Sequence, residues 1–243
     1  RIICQMRDDL GIDEIFMTVG YLSAVIKEYF KDGKKFGVKL HYIDNSELDK
    51  GLGWSILLAG RAFSSPCCVM LSDECYIGSN HKQLLEFPYE EGLVTCSVMS
   101  ADDTKMIQRN YSIIKDGIRA KRLIEKPQVL ENNLLGLGTF ILTPGFFSLL
   151  EEAFAQSKDD YVEFVTFING LCGGQPGVLC FEMKGTYVNI NDRDSLNLAR
   201  FYERKRTFDN NRISLLLYSE GVEQNIGFTI NRYRRNPAIH SIH

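Results

Sequence analysis

Apolar residues fall at helical spacing in the first ten positions, RIICQMRDDL, where Ile2, Ile3, Met6 and Leu10 share one face. No capping residue precedes them, so the pattern reads as a helix already under way and predicts a further segment ahead of Arg1. Glu14 to Val19 (EIFMTV) then reads as a strand, Gly20-Tyr21 as a turn, and Ser23 to Phe30 as a helix capped by Ser23. Val38 to Ile43 is a second strand, followed by a polar loop from Asp44 to Gly53 (DNSELDKGLG) and an apolar helix through Ala62. The run Cys67-Cys68-Val69-Met70-Leu71 is short, apolar and bounded by turn residues, which predicts a central strand of a parallel sheet. Strands alternating with helices at this spacing predict a doubly wound α/β domain.

From Gly92 the pattern shifts toward strands: Leu93 to Met99, Tyr111 to Ile114, Ile118 to Ile124 and Gly138 to Leu142. Asp116-Gly117 supplies the positive φ angles of a tight turn, so the middle pair reads as a hairpin. Phe146 to Gln156 and Tyr161 to Leu171 read as helices, Gly177 to Met183 and Thr186 to Ile190 as strands, and Asp192 to Lys205 as a helix with Leu196, Ala199 and Phe201 facing inward. Arg206 to Asn211 then reads as a linker, Ile213 to Tyr218 as a strand and Val222 to Arg235 as a helix. The expected organisation is one domain over 1–205 and a C-terminal extension, or the start of a further module, over 206–243.

Composition narrows this picture. A chain of 243 residues that is 44% hydrophobic can bury one sizeable core. Its 28 basic and 31 acidic residues are spread along the chain and leave a net charge of −3, so no field argues for nucleic acid or an anionic membrane as partner. Seven cysteines, an odd number without CxxC spacing, lie mostly inside apolar runs and predict reduced core thiols in a cytoplasmic protein. No stretch approaches the apolar length of a membrane span, and no signal-peptide pattern opens the chain. The histidines add little: His41 lies in a strand, His81 opens a helix, His240 and His243 belong to the tail, and none has a partner at metal-ligand spacing.

The first candidate for chemistry is Asp73, at the point where the Cys67 to Leu71 strand breaks into Ser72-Asp73-Glu74. Ligands of doubly wound sheets collect at the carboxyl ends of strands, so Asp73 stands where a metal and a phosphate could sit; the alternative is that it caps the next helix or turn. Glu125-Lys126-Pro127 ends a strand and offers a flexible cation, or is a solvated strand end stopped by proline.

Gly20-Tyr21, Gly51-Leu52-Gly53, Ser72-Asp73-Glu74 and Glu125-Lys126-Pro127 stand in an order and spacing that resembles the sugar-phosphate nucleotidyltransferases. Val19-Gly20-Tyr21 with Phe36-Gly37-Val38, Gly138-Thr139-Phe140-Ile141 before Pro144 and Phe147, and Tyr187-Val188-Asn189-Ile190-Asn191-Asp192 resemble further segments of that family over roughly 1–205. The resemblance implies a Rossmann-like, GT-A-like core built on a doubly wound mixed sheet with a β-rich sugar-binding extension. It implies nucleotidyl transfer from a nucleoside triphosphate to a sugar 1-phosphate or similar ester, with Mg2+ as cofactor and pyrophosphate as second product. By the same resemblance Asp73 is one metal ligand and Asn189 takes the place of the other, where the family more often has aspartate. Asn189 is otherwise a turn former bonding its own backbone. Lys126 would meet the sugar phosphate, and Glu125 would accept from the sugar hydroxyls or orient Lys126, while Gly51 and Gly53 would let the backbone approach the base.

Two departures qualify the expectation. Trp54 follows the Leu-Gly pair where the family has a small residue; it either stacks on a ligand or is a core aromatic. Gly136 and Gly138 admit the sugar close to the backbone or mark a bulge. The family's first strand and glycine-rich triphosphate loop have no counterpart in this chain, which predicts negligible activity for it as written and activity for a parent protein that supplies them. A non-catalytic module that binds a nucleotide-sugar, and a glycosyltransferase with a similar nucleotide-binding half, are the rival expectations; homo-oligomerisation stays open.

Overall fold

The structure, a computed structural model, describes residues 1–207. The predicted strand at Ile213 to Tyr218, the helix at Val222 to Arg235, His240 and His243 lie outside the described residues. Contacts divide the chain into two units: Arg1–Glu74 with Asn80–Lys184, and Cys75–Ser79 with the segment from Gly185 on.

The first unit opens with helix α1 (Ile2–Leu10), whose Ile3, Met6 and Leu10 are buried as their spacing requires. Gly11, at φ 67°, ends it by returning its N–H to the last turn. Strands β1 (Glu14–Val19) and β2 (Lys39–Asp44) pair in parallel, with helix α2 (Ser23–Phe30) as the crossover. Ser23 is the first helical residue of α2 and caps nothing; Leu22 holds the cap position in a left-handed conformation without a side-chain bond. Helix α3 (Gly51–Gly60) takes in the end of the predicted polar loop, so Gly51 and Gly53 belong to its first turn.

A six-stranded mixed sheet forms the centre. Its order is β3 (Cys67–Met70), β8 (Leu134–Leu142), β5 (Val94–Ser100), β9 (Val178–Glu182), β7 (Arg119–Glu125), β6 (Tyr111–Asp116). β5 and β9 are parallel and the other pairs antiparallel. The β6–β7 hairpin turns at Gly117 as its sequence predicts. A further pairing of Ser112 with Leu135 joins β6 back to β8. β3 is therefore not a central parallel strand: it is terminal in the sheet and antiparallel to β8, and its four residues are only half-buried.

Alternation along β5 sends Val94, Cys96 and Val98 into a core with α3, α5 (Pro144–Gln156) and α6 (Phe164–Gly170), which contribute Leu57, Phe146, Leu150, Phe164 and Ile168. Burying each such side chain is worth about 1.5–3 kcal/mol. The opposite side chains of β5, Thr95 and Ser97, are buried polar groups. A short helix α4 (Thr104–Arg109), capped by the Asp103 carboxylate accepting from Lys105 N–H, precedes β6.

In the second unit β4 (Glu74–Ile77), which the chain enters from the first unit at Glu74, pairs with β10 (Thr186–Asn189). Cys75, Ile77 and Val188 form a small core with Ala199 of helix α7 (Arg193–Thr207).

Candidate active site

Most of the predicted site residues lie in the first unit, in two groups. One gathers where β1 ends. Gly20 passes so near the loop after β2 that a methyl group on it would lie 2.3 Å from Leu48, and Tyr21 beside it is 80% exposed. Asn45 N–H donates to Val19 carbonyl at 2.8 Å, which holds that loop to β1. Gly51, at φ 77°, and Gly53 pack against Tyr161 and the Val162 carbonyl.

Trp54 packs its edge on Phe154 with ring centres 5.3 Å apart, and Lys50 Nζ lies 4.4 Å from its own ring centre. Lys50 is held there by Glu47 at 2.8 Å and Asp160 at 3.9 Å. Trp54 is therefore half-buried against the core with a cation across its ring.

The second group is built on β8. Where β3 ends, Leu71 N–H donates to the Gly138 carbonyl at 3.0 Å and the chain turns out through exposed Ser72 and Asp73. It returns at Glu74, which is 5% exposed and whose Oε1 accepts the Gly138 N–H at 2.8 Å. Asp73 itself engages no described residue, so it is not a cap; its carboxylate stands free at the tip of a turn anchored at both ends to Gly138.

The glycines of β8 owe their smallness to protein neighbours. A methyl group on Gly136 would lie 2.0 Å from the Tyr111 ring, and one on Gly138 would meet Leu71 at 2.6 Å and Glu74 at 2.7 Å. Tyr111 also donates its hydroxyl to the Leu137 carbonyl at 2.8 Å.

Tyr111 pairs across the hairpin with Glu125, and Lys126 follows in a left-handed conformation at φ 43°. Such backbone costs a non-glycine residue energy, of order 1–3 kcal/mol, and collects at functional sites. Lys126 N–H is fixed to the Asn110 carbonyl at 2.7 Å, while its exposed Nζ lies 3.6 Å from Glu125. Burial first and Glu163 second push the Glu125 carboxyl above its ordinary range, with Lys126 opposing them.

Sequence reasoning missed the segment that joins the two groups. Asp160 meets Lys50, Tyr161 covers Gly51, Val162 meets Gly53, and Glu163 sits electrostatically beside Glu125 while capping α6 through Val165 and Thr166 N–H. The sequence reads Tyr161 as the start of a helix, whereas α6 begins at Phe164 and leaves Asp160 to Glu163 ahead of it with these long-range partners.

Asn189 belongs to the second unit. Its Nδ2 lies 3.3 Å from the Tyr187 hydroxyl, and its Oδ1 is buried without a hydrogen-bond partner. Bonding to its own backbone is thus not what holds it.

Other chemistry finds little support. Burial pushes the thiols of Cys67, Cys68 and Cys180 up to about 12, far from a thiolate nucleophile at neutral pH. An apolar pocket of about 130 Å3, lined by Leu10, Cys67, Leu84 and Ile141 among others, lies at the other end of β3 from Asp73 and is too small for a nucleotide. Among the described residues no three His, Cys, Asp or Glu side chains converge on a metal position.

A family model described as nucleotidyl transferase matches residues 2–196. The chain belongs to the nucleotidyl transferase family. It is 26% identical over 220 residues to UTP–glucose-1-phosphate uridylyltransferase 2 of Streptococcus pyogenes serotype M3, covering 75% of this chain and 72% of that one. Among solved structures, a UDP-glucose pyrophosphorylase complexed with UDP-glucose superposes with a TM-score of 0.67 at 17% identity, over 83% of this chain and 85% of the other. The inositol-1-phosphate CTP transferase of T. maritima gives 0.66 at 16%, over 83% and 78%. At these identities the structural likeness establishes the fold of the family member, a mixed, Rossmann-like α/β core, and the chemistry must be argued from the site.

Proposed function

We propose that this family member transfers a nucleotidyl group from a nucleoside triphosphate to a sugar 1-phosphate or a similar phosphate ester, releasing pyrophosphate. The observation that carries the reading is the frame of β8: a free carboxylate at Asp73 on one side and Lys126, held in strained backbone, on the other, joined through Glu74, Gly138, Gly136 and Tyr111. The uridylyltransferase and pyrophosphorylase names among the relatives agree with it.

In this reading an oxygen of the sugar phosphate attacks the α-phosphorus and pyrophosphate leaves, so the protein's work is to place two anions and offset their charge. Lys126 Nζ, exposed and on a flexible stem, meets the sugar phosphate; Glu125 accepts from sugar hydroxyls. Gly20, Tyr21, Gly51 and Gly53 border the nucleotide, with Trp54 supporting the α3 turn from the core side. Asp73 suits a magnesium ion, since it offers an unengaged carboxylate, a hard donor; Asn189, in the second unit, carries an unpartnered carbonyl oxygen of the same hard kind. Bound with the triphosphate, magnesium would supply charge neutralisation at the phosphates. A cytosolic setting belongs to the same proposal, since none of the seven cysteines is in a disulfide.

The test is pyrophosphate release by the intact protein, with any residues natively ahead of Arg1 retained, across a panel of nucleoside triphosphates and sugar phosphates with magnesium. Release that requires both substrates is expected. Binding of nucleotide-sugar without turnover on any pair would overturn the catalytic reading in favour of a binding module.

A further inference from the structure

We propose that Glu74 is a positioning residue that sets Asp73 for its metal, by tying the turn that carries Asp73 to strand β8. The inference rests on the nucleotidyl-transfer reading and concerns a residue to which that reading gives no part in substrate or metal binding.

A carboxylate that is 5% exposed needs a reason to be ionisable and buried. β3 supplies the reason. It pairs with β8 only as far as Met70 and Thr139, and Leu71 N–H then takes the Gly138 carbonyl. The chain leaves the sheet at Ser72, so no backbone of β3 remains to accept the Gly138 N–H. Glu74 returns from the turn and accepts it at 2.8 Å, as a carboxylate standing in for a strand carbonyl. The turn closes on itself through Glu74 N–H and the Leu71 carbonyl at 3.4 Å.

Asp73 is thus the outward tip of a loop fastened by Leu71 and Glu74 to the two backbone groups of one residue. The fit is close enough that Gly138 has no room for a side chain, since a methyl there would meet both Leu71 and Glu74. Asp73 has no bond of its own to hold its direction, so the turn's geometry must do so. Groups that orient a metal ligand typically change metal affinity 10–100-fold when removed.

The experiment uses the intact protein, with any residues natively ahead of Arg1 retained, carrying Glu74→Asp, which keeps the charge but shortens the reach by one methylene, or Glu74→Gln, which keeps the reach but loses the charge. Manganese binding in the presence of nucleoside triphosphate, read by electron paramagnetic resonance, is compared with hydrogen exchange of the Gly138 amide and with the magnesium dependence of pyrophosphate release. For Glu74→Asp we expect at least tenfold faster exchange at Gly138, about tenfold weaker manganese binding, and a matching rise in the magnesium needed for half-maximal rate. At saturating magnesium kcat should return to within about threefold of the native value, and Glu74→Gln should fall between the two. Metal curves that overlay the native ones while the melting temperature drops would reduce Glu74 to a structural residue and overturn the inference alone. A native protein that neither binds manganese with nucleotide nor releases pyrophosphate would remove the nucleotidyl-transfer reading, and the inference with it.

Discussion

Mild acid should destabilise this fold through one side chain, His81. Its ring is fully buried, with Nδ1 3.1 Å from Gln5 Nε2 and Nε2 3.3 Å from Thr139 Oγ1. Those partners assign a neutral tautomer in which Nδ1 accepts from the Gln5 amide and Nε2–H donates to the Thr139 hydroxyl. Burial lowers its pKa from 6.5 to about 4, against a weaker opposing pull from Asp9. The folded chain therefore keeps His81 neutral while the unfolded chain takes up a proton as pH falls below 6.5. Its contribution is fully present above that value, drains as pH falls through the interval, and is spent by about pH 4.

At about 1.4 kcal/mol per tenfold change, the gap between 6.5 and about 4 limits the loss to about 3 kcal/mol, and about 2 kcal/mol should already be gone at pH 5. Against a typical domain stability of about 5–15 kcal/mol this is large enough to resolve by urea unfolding. The native chain and His81→Gln are to be unfolded at pH 7.5 and pH 5, so that carboxylates titrating in the same range cancel between them. The native chain should lose about 2 kcal/mol more than the variant across that interval. Equal losses in both, or an imidazole that titrates near 6.5 by NMR in the folded state, would refute the argument.

Other perturbations follow from the same structure. Gly136→Ala drives a methyl into the Tyr111 ring at 2.0 Å and should cost about 1–3 kcal/mol in denaturant unfolding. Thr95→Val replaces a buried hydroxyl that has no hydrogen-bond partner with a methyl of like shape, so stability should rise by about 1 kcal/mol. Asp73→Asn and Lys126→Ala alter exposed side chains, and each should lower pyrophosphate release on the order of 100-fold while leaving the unfolding midpoint nearly unchanged. Glu125→Gln removes a carboxylate whose charge is opposed by burial and by Glu163, so it should stabilise the chain at pH 7, with the gain shrinking in acid as the native carboxyl takes up its proton.

Local pattern carried much of the fold. β1 and α2 begin and end where periodicity and turn residues place them, and the β6–β7 hairpin turns at its Asp-Gly pair. The errors fall where an apolar run is compatible with several sheet positions. Cys67 to Leu71 has the composition of a buried parallel strand, yet its neighbour is set by β8, some 70 residues away in the chain, through antiparallel pairing. α4 was not anticipated because its six residues are too few for an amphipathic signal. Of the proposed functional residues, Asp73, Lys126 and Asn189 could be nominated from the sequence because their order is a property of the chain. Glu74, Tyr111 and Glu163 were not assigned roles, because what each does depends on a partner from a distant segment.

Gly136 and Gly138 make that limit concrete. A glycine between apolar strand residues reports only that something comes close to the backbone, and substrate, bulge and neighbouring side chain are equivalent from the sequence side. Here the close neighbours are Tyr111 on Gly136, and Leu71 and Glu74 on Gly138. The same smallness that suggested room for a sugar instead lets β8 be gripped from the β3 turn and from β6. That grip connects the two candidate catalytic ends: a shift of Gly138 must move the turn bearing Asp73, and a shift of Gly136 must move Tyr111 and its hairpin partner Glu125, next to Lys126. A substitution at either glycine should therefore disturb both ends of the site together, whereas Asp73 and Lys126 can each be changed without moving the other.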